Sequence, residues 1–199
     1  KRIETLLQMN LTVKSEWEFT VDEIIIGERI GSGSFGIVYK AILHGQIVAV
    51  KIIDASASES QKSMAAKMLQ REIKALTRCR HKNVVQLIGA CSYPPMLILA
   101  FAAQDTLLNL LANKYLLPSR KLEIVHGICD GMSILHSKEI LHLDLKPSNV
   151  LISADGTPWV SDFGLAIALQ ATLKSSAGSS MKGGRGTMQY MASENFKTK

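Results

Sequence analysis

The sequence predicts an α+β protein in which a small antiparallel β-lobe carrying one helix precedes a mainly helical lobe. Short β-rich runs broken by glycine fill residues 24–52, and one long helical pattern follows them. Helical patterns dominate after about residue 105. Because strands joined by short turns pair with their neighbours in sequence, we expect an antiparallel sheet in the first lobe. The boundary between the lobes is predicted near Ala102–Asp105.

Composition excludes several classes of protein. Of the 199 residues, 47% are hydrophobic and 20% are charged, so the chain can bury a core and is not predicted to be disordered. The longest unbroken apolar run covers residues 96–103, whereas a membrane-spanning helix needs about 20 apolar residues. We therefore expect no membrane span in this chain, and the polar first residues predict no secretory leader.

The scattered cysteines favour a cytoplasmic location. The distribution of charge predicts no nucleic-acid partner. The three cysteines are scattered and form no pair at metal-ligand spacing, as is typical of a reducing compartment. The net charge is +6, but no arginine-rich tract or basic–aromatic pattern accompanies it.

The hydrophobic periodicity and the turn residues of the sequence predict the elements of the first lobe. Residues 1–23 are predicted to be an N-terminal extension. A turn at His44-Gly45 joins the second and third strands, and a helix is predicted over Ser58–Cys79 with Met64, Met68, Ile73 and Leu76 as its apolar stripe. The predicted strands contain residues 24–26, 37–39, 47–50, 84–88 and 97–101.

The second lobe is predicted to contain two helices and several short strands. The helices cover Thr106–Asn113 and Ser119–Ser137, and short strands are predicted within residues 140–143, 150–152 and 159–160. A loop rich in Ser, Gly and Lys runs from about residue 173 to 186. The predicted inward face of the longer helix consists of Leu122, Ile124, Val125, Ile128, Met132 and Leu135.

Three glycines, Gly31, Gly33 and Gly36, form a candidate phosphate-binding loop. Without a Cβ, glycine allows the backbone to approach a phosphate closely. In dinucleotide-binding folds a helix follows this spacing, but here the β-branched run 37–39 follows, which favours a β-hairpin over phosphates. A plain Gly/Ser turn is the alternative when the motif is taken alone.

Lys51 ends the apolar run 48–50 and is the second candidate. Burying an ammonium group is costly unless an anion meets it, so this lysine predicts a phosphate or carboxylate partner. Glu72, in the helical pattern that follows, is the candidate carboxylate. The alternatives are a lysine whose amine extends to solvent and a glutamate on a solvated helix face.

Two further motifs place polar side chains after short strands. Within residues 142–149, Asp144 can accept a proton, Lys146 can neutralise a phosphate, and Asn149 can ligate a hard cation. Asp162, followed by Phe-Gly, offers oxygen ligands for Mg²⁺. A lone tripeptide of this kind carries no information, so the argument depends on all of the motifs together.

The motifs occur in the order found in eukaryotic protein kinases, and the chain resembles that family over residues 24–199. Lys146, which is followed by proline, and Thr187 are similar to residues of Ser/Thr kinases. The stretches 84–91 and 190–192 resemble the tyrosine-kinase-like group, with its Raf-like and mixed-lineage members. Dual specificity toward tyrosine stays open as an alternative.

The resemblance implies a bilobal fold with an N-lobe at 24–101, a hinge at 100–105 and a partial C-lobe at 106–199. It also implies ATP and Mg²⁺ as cofactors and protein substrates with Ser/Thr acceptors. The catalytic residues would be Asp144, Lys146, Lys51, Glu72 and Thr187, and the metal ligands would be Asn149 and Asp162. The nucleotide would be bound by Ile30, Gly31, Ser32, Gly33, Ser34, Phe35, Gly36, Val38, Ala49, Lys51, Leu99, Ala100, Ala102 and Leu151.

The sequence departs from the family pattern in three ways, of which the last, its early end, gives the main support to a second hypothesis: an inactive truncated or pseudokinase-like binding module. Leu143 replaces the arginine that usually precedes the catalytic aspartate, and Ala-Ser-Glu at 192–194 replaces Ala-Pro-Glu. The sequence also stops at Lys199, before the helices that complete the family's large lobe. Against this hypothesis, Lys51, Asp144 and Asp162 are all present.

Overall fold

Residues 11, 13–33, 36–113, 115–168 and 186–191 are described by the computed structural model. The chain divides into two units, one formed by residues 1–77 and 86–101 and the other by residues 78–85 and 102–199. The first unit holds a sheet and one helix, and the second holds two helices and short strands. The predicted α+β class is therefore confirmed.

The sheet of the first unit has five antiparallel strands in the order β1-β2-β3-β5-β4. The turn between β2 and β3 is formed by His44 and Gly45, which have φ angles of 47° and 80°. Alternate residues of the strands point into one core, as a half-buried sheet requires. The strands are β1 (Ile24–Gly33), β2 (Gly36–Leu43), β3 (Gln46–Ile52), β4 (Leu87–Cys91) and β5 (Met96–Ala100).

The helix of this unit, α1 (Glu59–Leu76), begins at a capping box. The backbone N–H of Gln61 donates to the Ser58 hydroxyl, and the Ser58 N–H donates to the Gln61 side chain. Met68, Ile73 and Leu76 are buried as predicted. Met64 is 57% exposed, so its predicted place in the apolar stripe is wrong.

Residues that precede β1 pack against the sheet. The backbone N–H of Phe19 donates to the carbonyl of Ala90 at 2.9 Å, and the ring packs against the sheet core. A Cβ at Gly89 would lie on that ring, so the glycine provides the space that Phe19 occupies. The segment around residues 17–19 thus lies along β4, which is at the edge of the sheet.

The second unit contains α2 (Leu107–Asn113) and α3 (Pro118–Ser137) with two small sheets. α3 packs against β9 and β7. The core includes Leu107 and Leu110 of α2, Ile124 of α3 and Ile152 of β8. The strands are β6 (Asp105–Thr106), β7 (Ile140–Leu141), β8 (Val150–Ile152), β9 (Pro158–Val160) and β10 (Ile167–Ala168).

The buried face of α3 differs from the prediction. Leu122 and Val125 are 70% and 54% exposed. Gly127 and Gly131 are buried instead, and a Cβ at either position would meet Asn83. The two glycines therefore allow α3 to lie close to the segment that contains Asn83, and this sets which face of the helix is buried.

The fourth strand also begins later than predicted. Val84 and Val85 are not part of β4, because Val84 bridges Val160 and the N–H of Val85 donates to the Val160 carbonyl at 2.9 Å. These bonds place residues 78–85 in the second unit. β4 consequently starts at Leu87.

Candidate active site

Lys51 and Glu72 form a buried ion pair in the first unit. Lys51 lies on β3 and Glu72 on the inner face of α1, and Nζ donates to Oε2 at 2.9 Å. Glu72 is fully buried, and Lys51 is 9% exposed. Charges this deeply buried are stable only when they are paired, so the bond fixes both the amine and the face of α1 that carries its partner.

The predicted nucleotide-binding residues of this unit lie on consecutive strands. β1 carries Ile30 to Gly33, β2 carries Gly36 and Val38, and β3 carries Ala49. On β5, Leu99 is 9% exposed and opposite Ala49 in the strand register. The N–H of Ala100 donates to Gln86, so only its carbonyl can serve an adenine edge. Ser34 and Phe35 lie outside the described residues.

In the second unit, Asp144, Lys146 and Thr187 form one hydrogen-bonded cluster. The amine of Lys146 lies 2.8 Å from Oδ2 of Asp144 and donates to the Thr187 hydroxyl at 2.8 Å. That hydroxyl donates in turn to Oδ1 of Asp144 at 2.7 Å. The cluster joins a carboxylate that can accept a hydrogen bond from a hydroxyl group with a cation that can neutralise a phosphate, and the Thr187 hydroxyl links the two.

The environment keeps Asp144 ionised. Burial alone raises the pKa of this carboxyl, but the hydrogen bonds from Lys146 and Thr187, with the charge of Lys146, outweigh burial and lower the pKa below its ordinary value. A carboxylate of low pKa is a weak base, but it stays ionised and so accepts a hydrogen bond from a hydroxyl group. Asp144 is therefore able to hold a hydroxyl group in place through a hydrogen bond to its ionised carboxylate.

Hydrogen bonds fix Asn149, one of the two predicted metal ligands, and tie it to the residue before Asp162, the other. The Nδ2 of Asn149 donates to the Asp144 carbonyl at 2.8 Å, which leaves the Oδ1 atom of Asn149 as its possible ligand atom. Ser161 donates to the Asn149 carbonyl through both its N–H and its hydroxyl, at 2.9 and 3.0 Å. Asp162 follows directly, in a left-handed conformation with φ 64°. The sequence prediction missed Ser161, although it immediately precedes the Asp-Phe-Gly motif.

His142 contacts both Asp144 and Ser161, and it does so in its neutral form. Its Nδ1 accepts a hydrogen bond from the Asp144 N–H, so the proton is on Nε2, which lies 2.9 Å from the Ser161 carbonyl. Burial, above all, lowers the pKa of His142. Its ring centroid is 5.0 Å from that of Phe163, which is fully buried. His142 thus holds both Asp144 and Ser161, the residue directly before Asp162, by hydrogen bonds.

Gly186 is a second residue that the sequence prediction did not assign to the site. It adopts φ 109°, and a Cβ there would collide with the Leu143 carbonyl. Leu143 itself has φ 66°, a conformation that is uncommon for a residue with a side chain. The glycine permits the close contact that brings Thr187 to Asp144. Its position directly before Thr187 is the signal that could have found it.

Residues 24–199 match the family model of the protein kinase domain. The chain belongs to the protein kinase family. It is 39% identical over 154 residues to human kinase suppressor of Ras 2, an alignment that covers 75% of this chain and 16% of that protein. These similarities, with the two that follow, confirm the predicted resemblance to Raf-like members of the tyrosine-kinase-like group.

Two Arabidopsis thaliana proteins are also similar. The serine/threonine-protein kinase STY46 is 34% identical over 183 residues, which cover 89% of this chain and 30% of that protein. The serine/threonine-protein kinase CTR1 is 35% identical over 180 residues, which cover 86% of this chain and 21% of that protein. The chain thus spans less than a third of the length of these relatives.

Some of the predicted features lie outside the described residues. These are the loop from residue 173 to 185 and the Ala-Ser-Glu sequence at 192–194. Within the described ranges, no group of three or more metal-ligating His, Cys, Asp or Glu side chains occurs. Among those same residues, no helix is long and apolar enough to cross a membrane.

Proposed function

We propose that this chain carries the phosphotransfer site of a cytoplasmic serine/threonine protein kinase, which transfers the γ-phosphoryl group of ATP to Ser/Thr hydroxyls of protein substrates in signal transduction. The observation that carries the proposal is the Asp144–Lys146–Thr187 cluster, with separations of 2.7 to 2.8 Å. Catalysis of this reaction depends on positioning and charge stabilisation, and the cluster supplies both.

Each charged group of the site has one role in the proposed transfer. Lys51, held by Glu72, binds the α- and β-phosphates of ATP. Asp144 orients the substrate hydroxyl, whose oxygen forms the new bond to the γ-phosphorus while the bond to the β-phosphate oxygen breaks. The hydroxyl proton passes to Asp144, and ADP leaves. Lys146 neutralises the charge of the phosphoryl group during transfer.

The donor set at Asn149 and Asp162 fits Mg²⁺. An amide oxygen and a carboxylate are hard ligands of the kind that Mg²⁺ prefers alongside nucleotide phosphates and water. The Nδ2 of Asn149 is bound to Asp144, so its Oδ1 is left for the cation. When bound, Mg²⁺ supplies positive charge to the phosphates, and the double hydrogen bond from Ser161 holds the ligand loop in place.

The remaining predicted residues serve the nucleotide in this proposal. The glycine-rich ends of β1 and β2 cover the phosphates, since their backbone can approach them closely. Val38, Ala49, Leu99 and Leu151 supply apolar contacts for adenine, with Ile30 at the exposed edge. Backbone groups of Ala100 and Ala102 hydrogen-bond the adenine edge.

The test uses Asp144→Asn and Asp162→Asn, which are matched because each removes one charge and keeps the shape of the side chain. We expect the wild-type chain to phosphorylate serine and threonine peptides from a mixed library and to leave matched tyrosine peptides unmodified. Asp144→Asn is expected to retain Mg²⁺-dependent ATP binding without transfer, whereas Asp162→Asn loses the Mg²⁺ dependence. ATP binding without transfer by the wild-type chain would contradict the proposal and favour a binding module.

A further inference from the structure

The exposed face of α1 is basic. Lys67, Arg71 and Lys74 follow one another at intervals of four and three residues, which places them on one face of the helix, and all three are exposed. Arg78 continues the pattern in the sequence, but it lies beyond the helix and donates to the Lys138 carbonyl at 3.2 Å. We therefore define the basic face of α1 as Lys67, Arg71 and Lys74.

The acidic residues of α1 do not compensate this charge. Glu59 pairs with Lys62 at 3.2 Å, and Glu72 is buried against Lys51. Within the part of the chain that the structure describes, no carboxylate lies within 4.0 Å of a cation of the basic face. The helix dipole favours cations only in the last turn, so it accounts for Lys74 and not for Lys67.

A groove of about 270 Å³ runs along the same side of the helix. Met64, which is 57% exposed, gives it apolar surface, whereas Met68 is buried. Two cations and two hydroxyl groups supply hydrogen-bond donors around this surface. The described residues that line the groove are Ser60, Ser63, Met64, Lys67, Met68 and Arg71.

We propose that this groove binds an acidic segment of a partner protein, with an apolar side chain on Met64 and carboxylates on Lys67 and Arg71. The uncompensated positive charge selects an anionic ligand, and the exposed methionine surface requires an apolar group beside it. A peptide with both features fits the groove better than a uniformly charged polymer does.

Helix geometry defines the spacing of the ligand. Lys67 and Arg71 are separated by four residues, a rise of about 6 Å along the helix. Alternate residues of an extended peptide are about 6.6 Å apart and point to the same side. Acidic residues at alternate positions, preceded by a leucine, therefore match the two cations and Met64.

The probe is a fluorescein-labelled peptide in which two leucines precede three aspartates that alternate with serines, and its binding is measured by fluorescence anisotropy without nucleotide. We expect the Kd to rise about tenfold with Lys67→Glu/Arg71→Glu and severalfold with Met64→Ser. A copy with lysine in place of aspartate is expected not to bind. Raising the salt from about 50 to about 300 mM should weaken binding of the acidic probe.

Lys121→Glu is the matched control for the single variants Lys67→Glu and Arg71→Glu, because it reverses one charge as they do and Lys121 is likewise exposed on a helix, at a site remote from α1 in the chain. The control variant should bind the probe as the wild-type chain does, and thermal unfolding should show that every variant is folded. Equal weakening by Lys121→Glu and Lys67→Glu would indicate general charge attraction and would overturn the proposal. Binding of anionic phosphatidylserine vesicles through Lys67 and Arg71, with no binding of the peptide, would also overturn it. Because no ATP is used, failure here leaves the proposed kinase activity untouched.

Discussion

The hydroxyl of Thr187 donates a hydrogen bond of 2.7 Å to Oδ1 of Asp144, and the backbone N–H of Thr187 donates a second bond of 2.8 Å to the same atom. The two residues are 43 positions apart in the chain. The segment that contains Thr187 is thereby fixed to the loop that contains Asp144. One oxygen of Asp144 receives both bonds, and the other oxygen lies 2.8 Å from Lys146.

Replacing Thr187 with valine is expected to lower kcat by roughly 10- to 100-fold, since it removes a hydrogen bond to a charged group. The same change raises the pKa of Asp144 toward its ordinary value, because a donor that favours the ionised form is lost. The acid limb of the pH–rate profile should therefore move to higher pH. Thr187→Ser keeps the hydroxyl and is expected to keep both the rate and the profile. A valine variant with the wild-type acid limb would show that the hydroxyl does not tune Asp144.

Replacing Lys51 with methionine is expected to lower phosphotransfer at least about a hundredfold, because a preorganised positive charge is removed. The same change deprives the fully buried Glu72 of its cation and should destabilise the chain by about 3 kcal/mol. Adding Glu72→Gln removes the uncompensated charge, so the double variant is expected to recover part of the free energy of unfolding but no activity. Urea denaturation and initial rates separate the two effects. Equal stability of the single and double variants would contradict the coupling.

Gly186→Ala tests the close contact beside Thr187, and Gly45→Ala is its control. Both glycines have positive φ, at 109° and 80°, so alanine strains the backbone at either position. A Cβ at Gly45 meets no atom within 4 Å, whereas at Gly186 it collides with the Leu143 carbonyl. We expect Gly186→Ala to lose more than about tenfold in kcat, because Thr187 moves away from Asp144. Gly45→Ala should keep its rate, and a similar loss in both variants would attribute the effect to general destabilisation.

Features that depend on local chemistry could be predicted from the sequence. The start of α1 follows from Ser58 and Gln61, which are three residues apart, and the β2–β3 turn follows from His44-Gly45. The pair between Lys51 and Glu72 joins two elements, but a lysine at the end of an apolar strand already favoured an anionic partner. In each case a short stretch of sequence contained the physical reason for the structure.

Features that depend on contacts between distant segments could not be predicted. Val85 bonds to Val160 rather than to β5, and no property of the apolar run 84–88 indicates this choice. Leu122 and Val125 continue a helical apolar pattern, yet the close approach at Gly127 decides which face of α3 is buried. Periodicity gives the apolar positions of a helix but not the neighbour against which they pack.

Buried neutral His142 is expected to make the chain less stable in mild acid. Burial lowers its pKa in the folded state, whereas in the unfolded chain the pKa is near 6.5. Below pH 6.5 unfolding takes up a proton that the folded state does not bind, so stability is full above that pH and falls as the pH decreases toward the folded pKa. The loss attributable to this group approaches about 1.4 kcal/mol per pH unit. Urea denaturation at a series of pH values between 7.5 and 5 measures this loss of unfolding free energy.

His142→Asn, which cannot titrate, should be less stable at pH 7.5 but should lose less free energy of unfolding on acidification. His136→Asn, at an exposed position on α3, should behave as the wild-type chain does. If His142→Asn loses as much stability as the wild-type chain between pH 6.5 and 5, the acid sensitivity arises from other groups and the neutral buried state assigned to His142 is wrong.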